Sequence, residues 1–272
     1  MTRLRTVAIS SSVCLAAYVF IAALMFLSQR RIMYKPFGRH LSAAEAGLPG
    51  FEDVVLATAD GERLAAYWKR AQANRATIVY FHGNGGAAAG RAPRAVSLAG
   101  SGRGVLLVEY RGYPGSTGSP SEQGFALDAD AADAFARANA GGPVVLYGES
   151  LGSAVAVALA ARSRPAALIL DAPFTSMTDV ARSRYGWLPV DMLLLDRFES
   201  ISAIARTESP TTILHGTRDE VVPTRMGKAL FAAARNPRRL VVLDGSDHGG
   251  NLETAAGREA VSTAIEEAET NR

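Results

Sequence analysis

The sequence predicts a mostly parallel α/β sheet with helices on both faces, placed behind one membrane-spanning helix. Three observations support this reading. Short continuous apolar runs recur down the chain with helix-like stretches between them, as buried parallel strands require. The first two strands read instead as an antiparallel hairpin. Near the N-terminus lies a charge-free segment of bilayer length.

That segment runs from Thr6 to Ser28, between Arg3 and Arg5 on one side and Arg30, Arg31 and Lys35 on the other. Its apolar core of about 20 residues would cross a hydrocarbon layer of roughly 30 Å as a helix. A secretory signal has a shorter core of roughly 7–15 residues ending in an A-x-A-like site. Phe26-Leu27-Ser28 does not resemble such a site. Residues 1–30 are therefore expected to form an uncleaved single-pass anchor, dispensable for folding and chemistry. Positive charge flanks both ends, so the charge rule assigns no orientation. Cys14 is the single cysteine, which excludes an intrachain disulfide. Ser11 stands where a lipoprotein signal prefers Leu.

Composition narrows the classes further. With 48% hydrophobic and 20% charged residues, the chain is neither disordered nor a polytopic membrane protein. A net charge of +3, with arginines dispersed rather than clustered, gives no nucleic-acid footprint.

Residues 31–50, with Pro36, Gly38, Gly47 and Pro49, read as a linker, and residues 51–272 as the folded domain. Phe51–Thr58 and Arg63–Trp68 are the opening strands, joined at Asp60-Gly61, a pair suited to the positive φ of a tight hairpin turn. The buried strands follow at Ala76–Phe81, Val105–Val108, Val144–Tyr147, Ala167–Leu170, Thr212–Leu214 and Leu240–Leu243. Helices are expected around Pro93–Leu98, Glu122–Ala140, Leu151–Arg162, Thr224–Ala234 and Leu252–Ala268. The interval 173–210 breaks this alternation. A connection that long carries its own structure, either a lid or a helix packed on the core. Its apolar residues include Trp187, Leu194 and Phe198, the candidates for an acyl-binding wall.

Gly148-Glu149-Ser150-Leu151-Gly152 joins a strand to a helix of small residues. A G-x-S-x-G in that context is the nucleophile elbow of an α/β-hydrolase. The sharp turn lifts a serine hydroxyl to the sheet edge, where the free N–H groups of a helix start favour negative charge. A serine needs a base, and the base needs a carboxylate to orient it. Among four histidines, His40 lies in the linker, and His82 and His215 end strands in His-Gly pairs suited to structural hydrogen bonds. His248 lies in the loop after the last strand and is the candidate base. Asp219, after the penultimate strand, is the candidate acid, with Asp171 as its competitor. The order Ser…Asp…His is that of the α/β-hydrolases. The N–H groups of Leu151 and of Asn84, in the Gly-rich loop His82–Gly86, are the candidate oxyanion donors. That loop lacks the G-K-[ST] of a phosphate-binding loop.

With these residues in view, the chain from Met33 to Ala268 resembles the single-span α/β-hydrolase-domain proteins, which include membrane-anchored lipases, protein depalmitoylases and serine-aminopeptidase-like hydrolases. The likeness rests on Phe81-His-Gly-Asn-Gly85, Glu109-Tyr-Arg-Gly-Tyr113, Ser116–Glu122, Gly148–Gly152, Asp171–Ser176, Trp187-Leu-Pro189 and His215–Asp219. Relatives often carry Gly-x-x-His-Asn around the base, where this chain has Ser246-Asp-His-Gly-Gly-Asn251. The resemblance implies hydrolysis of an ester or thioester of a lipid or acyl substrate through an acyl-enzyme, with no metal or cofactor. Peptide cleavage and a catalytically silent scaffold are the alternative functions.

Overall fold

Asp60-Gly61 makes the first turn of the domain, with Gly61 at φ +89°, a value open to glycine because it has no Cβ. The hairpin joins β1 (Glu52–Ala57) to β2 (Arg63–Lys69) in antiparallel register, Ala57 opposite Arg63. The computed structural model describes residues 2–270, with side chains from Ser10 onward; the side chains of Arg3 and Arg5 lie outside the described residues.

In chain order, α1 (Thr2–Met33) precedes the hairpin, and β3 (Thr77–Phe81), α2 (Ala92–Leu98), β4 (Gly104–Val108), α3 (Glu122–Asn139), β5 (Val144–Glu149), α4 (Leu151–Ser163) and β6 (Ala167–Asp171) follow it. Then come α5 (Met177–Tyr185), α6 (Val190–Leu193), α7 (Ser200–Ile204), β7 (Thr211–Gly216), α8 (Thr224–Ala233), β8 (Pro237–Leu243) and α9 (Ala255–Thr270). The eight strands form one sheet in the order β1-β2-β4-β3-β5-β6-β7-β8. β2 pairs with β4 antiparallel, and every pairing from β4 to β8 is parallel.

Alternation along the buried strands builds two cores. Val79 and Phe81 of β3 join Leu106 and Val108 of β4 beneath α3 and α4. Ile78 and Tyr80, from the same strand, join Val105, Tyr147, Val261 and Ile265 on the face covered by α9. β3 lies between β4 and β5, so the chain's winding reverses there. In open α/β sheets the crevice at such a reversal, beyond the strand C-termini, is where ligands bind. The loop after β3 and the turn after β5 meet at that point.

Two expectations change. The N-terminal helix runs three residues past the expected end of the anchor, to Met33. Ser10–Met33 is long and apolar enough to cross a membrane. The segment after it, read as a linker, packs against the domain. Tyr34, Ala43 and Leu48 are buried in the two cores, and Lys35 bridges to Gly85 in the loop after β3. Apolar residues scattered among Pro and Gly gave no periodic signal, so this packing was invisible in the sequence.

The interval 173–210 folds as α5, α6 and α7. Ser176 caps α5 by accepting the Asp179 N–H at 3.0 Å. The far end of the interval is tied to the start of α3, where the Glu122 carboxylate accepts the N–H groups of Arg197 (2.7 Å) and Phe198 (2.9 Å).

Candidate active site

The elbow is built by backbone strain and by glycine. Ser150 has φ 51° and ψ −114°, outside the regions that L-residues favour. Its N–H is held by the Asp171 carbonyl at 2.8 Å, and the Ser153 hydroxyl donates to its carbonyl at 2.5 Å. A Cβ on Gly152 would overlap the Phe81 carbonyl, and one on Gly148 would overlap Gly152. Both positions therefore require glycine for close packing of strand against helix.

His248 Nε2 lies 2.8 Å from Ser150 Oγ, and its Nδ1 lies 2.7 Å from Asp219 Oδ2. Asp219 Oδ1 accepts the N–H groups of Val221 (2.9 Å) and Val222 (2.7 Å), which fixes the carboxylate. His215 Nε2 lies 3.3 Å from Asp219 Oδ2 and 2.9 Å from the Val222 carbonyl. Burial pushes the Asp219 carboxyl upward, but hydrogen bonds from His215, His248 and Val222 outweigh it and hold the group below the ordinary carboxylate range. It faces His248 as an anion, the form that keeps the imidazole proton on Nδ1 and leaves Nε2 free to accept.

Asp171, the competing acid, is turned away. Its side chain is buried and accepts hydrogen bonds from Tyr147 Oη and Asn251 Nδ2, each at 2.7 Å. Burial raises its carboxyl above the ordinary value. Asn251, from the loop that departs from the relatives' sequence, is thus spent on Asp171 and on the Ser246 hydroxyl (2.9 Å).

Leu151 is the first residue of α4, so its N–H has no intrahelical acceptor. The Asn84 N–H makes no hydrogen bond among the described residues. The rest of Asn84 is tightly held. Tyr113 Oη donates to its carbonyl (2.8 Å) and to Oδ1 (2.9 Å), Lys35 N–H donates to Oδ1 (3.3 Å), and Asn84 Nδ2 donates to the Met33 carbonyl. Glu109 accepts from the Ala88 N–H at 2.7 Å and lies 2.9 Å from His82 Nε2, bracing the same loop from below. The Glu109–Tyr113 motif thus braces the loop that carries Asn84.

A cavity of about 480 Å³ opens over Ser150 and His248. Leu194 lines it; Trp187 and Phe198 do not. Phe198 is buried in the core, 6.4 Å from the Phe125 ring, because Glu122 draws its backbone inward. Trp187 is half exposed and meets Tyr18 of α1 edge-on at 6.2 Å. The sequence reading also missed a wall. Met25, Phe26, Ile32 and Met33 of α1 line the cavity, so the helix expected to be dispensable borders the site.

Two further groups escaped the sequence reading. Glu149, beside the nucleophile, is buried and contacts Tyr80 Oη (2.5 Å), Arg91 (3.1 Å) and Arg94 (2.7 Å). Burial raises its carboxyl, but the two guanidinium charges and the Tyr80 hydrogen bond prevail and bring it to about 2. Arg94 also donates to the carbonyl of Gly249, next to the base, so one side chain ties the elbow to the His248 loop. Arginines in an unpatterned loop and short helix carry no sequence signal for either contact.

Fold and site together define an α/β-hydrolase enzyme. A family model described as serine aminopeptidase, S33, matches residues 72–193. An uncharacterized protein of Mycobacterium tuberculosis is 40% identical over 243 residues, covering 87% of this chain and 86% of that protein. Alpha/beta hydrolase domain-containing protein 17B of Xenopus tropicalis is 32% identical over 209 residues, 72% of this chain and 69% of that one. A lysophosphatidylserine lipase of Danio rerio is 35% identical over 195 residues, 64% of this chain and 51% of that one. Among solved structures, an esterase of Pyrococcus furiosus superposes with TM-score 0.68 at 18% identity, over 85% of this chain and 99% of that one. The chain belongs to the α/β-hydrolase-domain family.

Proposed function

We propose that the protein is a serine hydrolase, held at a membrane by α1, that cleaves carboxylic or thioester bonds of acyl substrates. The observation that carries this reading is the hydrogen-bonded chain from Ser150 Oγ through His248 to Asp219, placed at the floor of a largely apolar cavity. Ser150 Oγ attacks the acyl carbon while His248 Nε2 takes its proton. The N–H groups of Leu151 and Asn84 receive the oxyanion. His248 then protonates the leaving group, and an acyl-Ser150 ester remains. Water, deprotonated by His248, attacks that ester and frees the acid. Asp219 holds the imidazole and steadies the imidazolium.

Lipid esters lead among substrates, since a lipase is among the relatives and the cavity walls include Met25, Phe26, Leu193 and Leu194. Thioesters of acylated proteins come second, because the same elbow and apolar wall serve them. An aminopeptidase reading follows from the name of the family model. Against it, Glu149, a carboxylate bordering the cavity, is already engaged by Arg91, Arg94 and Tyr80 and has no place for a substrate amino terminus. The test is a panel of p-nitrophenyl esters, acyl thioesters and aminoacyl naphthylamides of graded length, with Ser150→Ala as control. Ester or thioester turnover that vanishes in the control supports the proposal; turnover of naphthylamides alone overturns it.

A further inference from the structure

We propose that the cavity takes its acyl chain sideways from the bilayer that α1 crosses, through a mouth whose near wall is α1 itself. This rests on the hydrolase reading above and adds the route and physical state of the substrate. Met25, Phe26, Ile32 and Met33 of α1 line, together with Leu193 and Leu194, the cavity that reaches Ser150. Phe26 and Ile32 line it and yet are each 37% exposed, which places the opening along α1.

The helix is fastened to the insertion at several points. Gln29 Nε2 donates to the Leu193 carbonyl (3.1 Å) and its Oε1 accepts the Leu195 N–H (2.8 Å). Arg30 grips the buried Asp196 carboxylate through Nε (2.8 Å) and a terminal nitrogen (3.0 Å). Asp196 also accepts from Tyr34 Oη (3.0 Å) and from the Glu122 N–H (3.2 Å), which joins α1, the insertion and α3 at one carboxylate. Farther along, Tyr18 Oη donates to the Trp187 carbonyl at 3.2 Å.

Depth follows from the helical rise. Met25 and Phe26 stand about 6–8 Å along α1 from Arg30, and Tyr18 about 18 Å. All three belong to the charge-free stretch Thr6–Ser28, which must lie in hydrocarbon if α1 spans. The insertion contacts α1 from Arg30 as far as Tyr18, so it enters the near leaflet with it. Three of its exposed side chains suit that setting, Trp187, Met192 and Leu195 at 54%, 82% and 54%, and two of its exposed charges, Arg182 and Asp191, are paired with each other. Lipid removes the cost of leaving such a patch bare to water. A single alkyl chain lying among the lipid tails then meets the mouth at its own depth and reaches Ser150 without passing through water.

The test uses full-length protein in phosphatidylcholine vesicles and a hexadecyl fluorophosphonate with a diazirine near the chain end. The phosphorus stands for the acyl carbon. Ser150 Oγ bonds to it, fluoride leaves and His248 takes the hydroxyl proton. Photolysis then marks whatever surrounds the chain, and peptide mapping reads the sites. Adducts on Met25 or Phe26, which lie in the charge-free stretch, support the proposal; adducts on Ile32 or Met33 without them place the chain beyond Arg30, outside the hydrocarbon, and count against it. Phosphonylated Ser150 with adducts confined to residues 177–194 and 221–222 overturns the route and leaves the hydrolase reading standing. No phosphonylation of Ser150 overturns both. Opening the clasp with Arg30→Ala should slow labelling by the vesicle-borne probe about tenfold, while a short water-soluble fluorophosphonate labels within about twofold of wild type. Unequal slowing of that kind supports the route, and Arg30→Lys should recover part of it. Equal rates for both probes in Arg30→Ala count against it.

Discussion

Replacing Asp219 by Asn tests the assignment of the acid, because the structure states what the amide must do. Asp219 Oδ1 is fixed by the N–H groups of Val221 and Val222 at 2.9 and 2.7 Å. An asparagine keeps its carbonyl there and turns its NH₂ toward His248 Nδ1, now 2.7 Å from the carboxylate. Nδ1 must then accept, the ring proton moves to Nε2, and Nε2–H faces Ser150 Oγ with no capacity to take its proton. The charge that steadies the imidazolium is lost as well. Together these should lower kcat/KM by about 10⁴-fold, or about 5.5 kcal/mol of transition-state stabilisation. Asp171→Asn removes no group in contact with His248, and its cost should fall on stability through the Tyr147 and Asn251 hydrogen bonds, about 1–3 kcal/mol. The pH dependence has a definite sign. Asp219 is held below the ordinary carboxylate range, so the stability it contributes is complete above about pH 4 and is lost only as pH falls through its lowered value. The assay is kcat/KM on p-nitrophenyl butyrate with circular dichroism as the control for folding. Folded Asp219→Asn within tenfold of wild type, or folded Asp171→Asn as the slower enzyme, would mean that Asp219 is not the acid that orients His248.

Other expectations follow from the same contacts. Arg91, Arg94 and Tyr80 hold Glu149 well below the ordinary carboxylate value of about 4.3, so its stabilising contribution, on the order of 3 kcal/mol, is present above that value and lost as pH falls through the lowered one. Thermal unfolding in detergent should show Glu149→Gln less stable than wild type near neutrality, with the gap closing as pH falls from about 5 toward 2; a gap independent of pH contradicts this. Phe198→Ala should cost about 3–5 kcal/mol of stability and leave acyl-length preference alone, whereas Leu194→Ala should weaken octanoyl esters more than acetate. Comparing melting curves with kcat/KM along the ester series separates the two roles. Full-length protein should remain in the membrane fraction through an alkaline carbonate wash, and release by that wash excludes a spanning α1. A chain beginning at Arg31 should keep acetate turnover but lose it on long esters, because it lacks Met25, Phe26, Gln29 and Arg30.

The elements legible in the sequence were those with a periodic or positional signal. Continuous apolar runs located the buried strands, Asp60-Gly61 located the hairpin, and Gly148–Gly152 located the elbow, because each states a local backbone requirement. His248 and Asp219 were expected from their places after the last two strands of a parallel sheet, and both lie on the hydrogen-bonded chain that starts at Ser150. What stayed hidden depends on contacts between distant segments. Phe198 and Leu194 look alike in an apolar stretch, and what sets Phe198 apart is a distant contact, its N–H held by the Glu122 carboxylate 76 residues away, with its side chain in the core. Likewise α1 reads as an anchor on hydropathy alone. Its place in the cavity wall depends on Asp196, 166 residues from Arg30, and on the pairing of Met33 and Lys35 with the Asn84 loop.

The central claim is that Ser150 carries the acyl group during turnover. Rapid mixing of full-length protein with an excess of p-nitrophenyl octanoate, acid quench and peptide mass analysis measures this directly. A burst of nitrophenol matched by an octanoyl group on the peptide containing Ser150 is expected, with both absent in folded Ser150→Ala. Steady turnover with no acyl group on Ser150, or undiminished turnover in Ser150→Ala, would contradict it.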